Sequence, residues 1–259
     1  MTAALAADDR PYGWLARIGV VAPSINTCIE PQFRALAPPG VEFHVTRLRL
    51  RSGDRAELLA MGESAGAAAE LLADVDPDLV LFQCTAATTI GGPAYEAELV
   101  ARVAAAAGRP ATSTASAVVA ALRTLEAERI ALITPYEPEI NAAEARFLDG
   151  HGLHVVEDRA LRLEASAYTS VSPAGWLDVV RSSAARDADA VFLSCTNVRT
   201  IEVIETLERE LGRPVVTSNQ AGLWHALRLA GVDAAIPGYG RLLTLGLADA
   251  SLAGRSPAG

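Results

Sequence analysis

The chain has 259 residues, of which 51% are hydrophobic and 20% charged, enough apolar material for one large or two small cores. A formal net charge of −9 repels phosphate backbones and anionic membranes, so no nucleic-acid or membrane partner is expected and small molecules are. All 22 basic residues are arginine, which excludes a Schiff-base lysine, a pyridoxal-phosphate lysine and a Walker-type phosphate lysine.

The opening "MTAALAADDR" lacks the basic region and apolar core of a signal peptide, and no apolar run approaches the roughly 18 residues of a membrane span. A cytoplasmic location is expected, with residues 1–14 and the "SLAGRSPAG" tail (251–259) flexible. Short runs rich in Val, Ile, Leu and Phe then alternate with Ala-rich amphipathic stretches, the pattern of parallel strands joined by helices. Strands are predicted near 17–22, 42–48, 79–84 and 110–113, with helices near 28–36, 54–74, 94–107 and 115–127. Asp54 is read as the cap of the second helix. Further strands follow near 129–134, 153–158, 190–195 and 214–217, with helices near 138–150, 173–186, 198–211 and 220–230.

The second series repeats the first. "RIGVVAPS" (17–24) returns as "RIALITPY" (129–136), "DLVLFQCTAATT" (78–89) as "DADAVFLSCTNVRT" (187–200), and "RPATSTAS" (109–116) as "RPVVTSNQ" (213–220), at similar offsets. This is an internal duplication rather than a solenoid. The expected fold is α/β, with two pseudo-symmetric halves, each a four-stranded parallel sheet flanked by helices. The first spans 15–120 with part of 220–250, and the second spans 121–219.

Three cysteines, Cys28, Cys84 and Cys195, have no metal-ligand spacing, and an odd count in a reducing compartment argues for free thiols. Cys84 and Cys195 are each expected to end a buried strand and precede a helix, where ligands of such sheets bind and where free N–H groups can lower a thiol pKa or hold a carboxylate. Two facing halves would bring these thiols to one cleft from opposite sides. Cys28 has no counterpart in the other half and is read as local packing beside the site. His225 is read as structural, and Asn219 and Gln220 as caps or substrate ligands.

"VVAPSINTCIEPQF", "FQCTAATT", "LSCTNVRTIEVIETLERELGRPVVTSNQAGLW" and "GYGRLL" together resemble the aspartate/glutamate racemase superfamily, and within it the maleate cis–trans isomerase and arylmalonate decarboxylase group. The resemblance runs from about residue 17 to 245 and implies an enzyme without cofactors, built of two Rossmann-like halves with the site between them. Decarboxylases of this group typically have glycine at the first cysteine position. Cys84 therefore favours an isomerase, with an amino-acid or hydroxy-acid racemase, or a related decarboxylase, using the same cysteine pair as the alternative and a non-catalytic carboxylate-binding protein as a third reading. The resemblance implies Cys84 as nucleophile and Cys195 as proton donor, with Asn26 and Tyr136 binding a small carboxylate substrate. Thr85, Ala86, Thr196 and Asn197 are the candidates to stabilise an enediolate-like carboxylate. In "LEASAYTSVSP" (163–173) the isomerases usually carry an asparagine for a second carboxylate. It is missing here, with Ser166 or Tyr168 as substitutes. No metal is expected, and homo-oligomerisation is left open.

Overall fold

In a computed structural model, which describes residues 10–183 and 187–247, the chain forms two four-stranded parallel sheets of identical topology. The first has the order β2-β1-β3-β4, from β1 (Ala16–Pro23), β2 (Val41–Leu48), β3 (Leu79–Phe82) and β4 (Ala111–Ser113). The second has the order β6-β5-β7-β8, from β5 (Arg129–Thr134), β6 (His154–Ala160), β7 (Ala190–Leu193) and β8 (Val215–Thr217). All eight predicted strands are present, and the duplicated segments occupy equivalent strands. The two central strands of each half are nearly continuous apolar runs because helices cover both of their faces.

The helices of the first half are α1 (Ile29–Leu36), α2 (Arg55–Glu63), α3 (Ala65–Ala73), α4 (Thr85–Thr89), α5 (Gly92–Ala107) and α6 (Thr114–Thr124). Those that follow are α7 (Pro138–Asp149), α8 (Pro173–Arg181), α9 (Ile204–Leu211) and α10 (Ser218–Leu229). Three differ from expectation. The helix predicted over 54–74 is broken at Ser64, whose hydroxyl bonds back to the Ala60 carbonyl at 3.0 Å and competes with the helical ladder. Five buried residues after Cys84 form the extra helix α4. The helix predicted from 198 begins only at Ile204, after a 3₁₀ turn at Ile201–Val203. The end of the helix predicted over 173–186, residues 1–9 of the flexible segment predicted at 1–14, and the flexible tail predicted at 251–259 lie outside the described residues.

Helix α10 leaves the second sheet and packs on α6, α1 and β3 of the first half, with Trp224 fully buried. Around it a set of buried polar side chains ties the halves together. Gln83 Nε2 donates to the Ser218 carbonyl and to Asn219 Oδ1, Asn219 Nδ2 donates to Gln32 Oε1, and Gln32 Nε2 donates to the Val198 carbonyl. Each group here is paired, as a buried polar seam requires, since one orphaned partner would cost about 1–3 kcal/mol. Among the described residues, no helix is long and apolar enough to cross a membrane.

Candidate active site

The two cysteines lie beyond the carboxyl ends of β3 and β7, separated from them by Gln83 and Ser194. Cys84 has extended backbone and is the N-cap of α4, as the expected strand–cysteine–helix order requires. Cys195 departs from that order. It is followed by a turn, and its φ is +100°, a conformation that costs a non-glycine residue about 1–3 kcal/mol unless its surroundings hold it. Its backbone N–H donates to Ser218 Oγ at 3.0 Å, and the Asn197 N–H points at its own sulfur at 3.3 Å. The preceding Ser194 hydroxyl donates to the carboxyl group of Glu144, with contacts of 2.7 and 2.9 Å to its two oxygens. The strain is therefore held by hydrogen bonds on Ser194, Cys195 and Asn197.

Both thiols line one cavity, and the wall also includes Asn26, Thr85, Ala86, Tyr136, Thr196 and Asn197. The two cysteines and the six residues expected to bind substrate thus meet in one place. Ile25, Leu50, Leu58 and Ala165 complete an apolar side, and Tyr168 closes it with its ring edge-on to Tyr136 at 5.7 Å. Of the two substitutes for the missing asparagine only Tyr168 reaches the cavity; Ser166 is exposed. None of the lining residues is Lys, Arg, His, Asp or Glu, so a bound carboxylate would be held by neutral donors.

Several donors are already committed. Asn26 Oδ1 accepts the Cys28 and Ile29 N–H groups at 2.8 and 2.9 Å, capping α1, while its Nδ2 donates to Thr196 Oγ1 at 3.0 Å. It therefore serves both as a turn residue and as part of the cavity wall. Asn197 Oδ1 accepts the Thr27 N–H at 2.9 Å, and the Thr85 hydroxyl donates to Ser218 Oγ at 2.8 Å. Thr196 Oγ1 accepts from Asn26, which leaves its proton for a substrate.

Burial pushes the Cys84 thiol up to about 12, against the pull of the Ala87 N–H. Burial likewise raises Cys195, opposed by the Asn197 N–H and the Tyr136 hydroxyl, while a charge on Cys84 would push it up further. Tyr136 is raised well above its ordinary value, first by burial and then by Cys195 and Glu144, and so remains a phenol that donates.

The other candidates lie elsewhere. Cys28 is buried as the N-cap of α1, outside this cavity. Buried His225 shares a 2.9 Å hydrogen bond with Thr112, and Gln220 forms a capping box with Thr217. Asn219 belongs to the seam between the halves and does not line the cavity. Sequence reasoning missed Ser218 and Glu144. Ser218 lies within "RPVVTSNQ", which repeats "RPATSTAS" and sets it opposite Thr114; nothing local to "NAAEARF" marks Glu144 as a partner of Ser194. Among the described residues no cluster of His, Cys, Asp or Glu has the arrangement of a metal site.

The family model for arylmalonate decarboxylase matches residues 18–243. The chain is 33% identical to the maleate isomerase of Nocardia farcinica over 88% of its own length and 96% of that protein. It is 35% identical to the arylmalonate decarboxylase of Bordetella bronchiseptica, over 87% and 95% of the two chains. Among solved structures, a Nocardia farcinica maleate cis-trans isomerase with a Cys-to-Ser substitution and a covalently bound succinylcysteine intermediate matches with a TM-score of 0.84. That match has 31% identity and covers 88% of this chain and 98% of the other.

Proposed function

Since the chain belongs to the arylmalonate decarboxylase family, we propose that it is a cofactor-independent, two-cysteine isomerase of a small dicarboxylic acid that converts a maleate-like cis-enedioate to the trans isomer. Overall identity does not choose between isomerase and decarboxylase, being 33% to one and 35% to the other. The observation that carries the choice is the pair of buried thiols on one cavity, one from the end of each sheet. Loss of carbon dioxide followed by protonation requires one proton donor, whereas addition and elimination across a double bond uses a nucleophile and a separate acid–base group.

The reactive form has Cys84 as thiolate and Cys195 as thiol; because burial holds Cys84 up at about 12, it is a minor form of the empty site, reached by loss of the Cys84 proton to solvent before attack. Cys84 Sγ bonds to one alkene carbon, and the π pair moves to the other carbon and into its carboxylate as an enediolate. Cys195 then protonates that carbon and is left as thiolate. The product is a succinyl thioether, whose former double bond can rotate. Cys195 then removes the proton, the carbon–sulfur bond breaks with its electrons returning to Cys84, and the trans diacid leaves. The negative charge thus passes from one sulfur to the other and back, and each sulfur has its own donors: Ala87 N–H for Cys84, and Asn197 N–H with the Tyr136 hydroxyl for Cys195. Because a charge on Cys84 pushes Cys195 up, ionising the nucleophile keeps the acid protonated.

In this scheme the backbone N–H groups of Thr85 and Ala86, the Thr196 hydroxyl, Asn26 and Asn197 hold the carboxylates. The succinylcysteine in the Nocardia farcinica isomerase is the adduct such a route would produce. Incubation with maleate in heavy water tests the proposal by proton NMR, and fumarate formation is expected. Absence of fumarate together with solvent-deuterium exchange into an amino or hydroxy acid would instead point to a racemase using the same thiols.

A further inference from the structure

Ser218 opens α10 and is fully buried. Its Oγ accepts the Thr85 hydroxyl at 2.8 Å and the Cys195 N–H at 3.0 Å, while its carbonyl accepts Gln83 Nε2 at 3.2 Å. Gln83 and Thr85 flank Cys84. One residue, belonging to neither cysteine segment, therefore holds both. Its place in the duplication makes this contact unusual. Ser113 and Thr217 are equivalent helix caps, so Thr114 is the counterpart of Ser218. Thr114 Oγ1 stays within its own half, donating to the Phe82 carbonyl or Gln83 Oε1 at 3.2 and 3.1 Å. The pseudo-symmetry is broken where the second half reaches across to the first.

Two features give this contact mechanical weight. Cys195 sits at a positive φ and depends on tertiary hydrogen bonds to stay there. Both thiols must also face one substrate at fixed separation, where a misplacement of about 1 Å can cost roughly 100-fold in rate.

We infer that Ser218 is a positioning residue for both thiols: its hydroxyl pins the Thr85 end of the Cys84 segment to the Cys195 backbone and sets the spacing of the two sulfurs. The inference rests on the proposed pairing of Cys84 with Cys195 in one reaction. A merely structural serine would affect stability without linking the two thiols.

The test combines turnover with thiol labelling. Ser218→Ala should lower kcat on maleate roughly 10- to 100-fold with little change in KM. Iodoacetamide labelling, quantified by peptide mass spectrometry on the folded protein, should accelerate at Cys84 and Cys195 together by roughly two- to tenfold, the scale of one lost hydrogen bond, and not at Cys28. Thr85→Val carries the same test from the other end and serves if Ser218→Ala does not fold. Thr85 is bonded to Ser218 rather than Cys195, yet Cys195 labelling should still accelerate in that variant. Acceleration at only one of the two thiols in Ser218→Ala, or unchanged Cys195 labelling in Thr85→Val, overturns the inference. Labelling needs no turnover, so a lack of maleate isomerisation by the unmodified protein would sink the proposed function and leave this test decisive.

Discussion

Cys84 and Cys195 were legible because each closes an apolar run followed by threonine. The positive φ of Cys195 was not, because it follows from bonds to Ser218 and within the turn that no local pattern encodes. Glu144 is the same kind of residue, fully buried and meeting Ser194 only through the fold. Burial pushes its carboxyl up to about 8 from an ordinary 4.5, with Ser194 pulling it down and Asp158 adding to the rise. The folded protein then keeps a proton that the unfolded chain releases, so this group's contribution to stability falls as pH rises from 4.5 towards 8 and is level above that. His225 has the opposite sign. Burial lowers it to about 4 from 6.5, so its contribution is present above 6.5 and is lost as pH drops towards 4. Between 4.5 and 6.5 the two slopes oppose each other, and from 6.5 to 8 Glu144 acts without His225. Thermal unfolding should therefore show Tm declining from pH 6.5 to 8, and Glu144→Gln should remove that decline. A variant whose Tm follows the unmodified protein across this range would show that Glu144 is ionised in the fold.

At the scale of elements, the strand–helix alternation could be read because apolar period and length separate buried strands from helices. Breaks within helix-forming sequence could not. Residues 54–74 keep a helical pattern on both sides of Ser64, and the interruption there goes with the Ser64 hydroxyl bonding back to the Ala60 carbonyl, between Gly62 and Gly66, which hold a helix weakly. The cap of α2 was readable, and it has a consequence for the cavity. Asp54 Oδ1 accepts the Glu57 N–H at 2.9 Å, and Glu57 in turn accepts the N–H groups of Arg51 and Ser52, both at 2.7 Å. This ties down the loop that presents Leu50 and Gly53 to the cavity. Asp54→Ala should cost about 1 kcal/mol, lower Tm by about 2–4 °C and raise KM more than it lowers kcat, because the loop forms wall rather than reacting groups. Unchanged stability and KM would mean that the cap neither holds α2 nor orders the wall.

For the whole molecule, duplication explains why the site lies between the sheets: each half supplies one thiol, and neither sheet alone encloses the cavity. The repeat was visible in the sequence, but the way the halves are joined was not. The seam of Gln83, Asn219 and Gln32 brings together residues distant in the chain, and only Asn219 among them had attracted notice. The proposed division of labour between the halves, with Cys84 as nucleophile and Cys195 as acid–base partner, makes a sharp forecast for the molecule lacking the second thiol. In Cys195→Ala, addition to maleate can be completed by a proton from water, but the group that would remove the proton again is gone. Intact-mass and peptide mass spectrometry of this variant after incubation with maleate should find one succinyl group on the peptide containing Cys84 and none on that containing Cys28. If Cys84 stays unmodified in the variant while the unmodified enzyme converts maleate to fumarate, covalent addition through Cys84 is wrong.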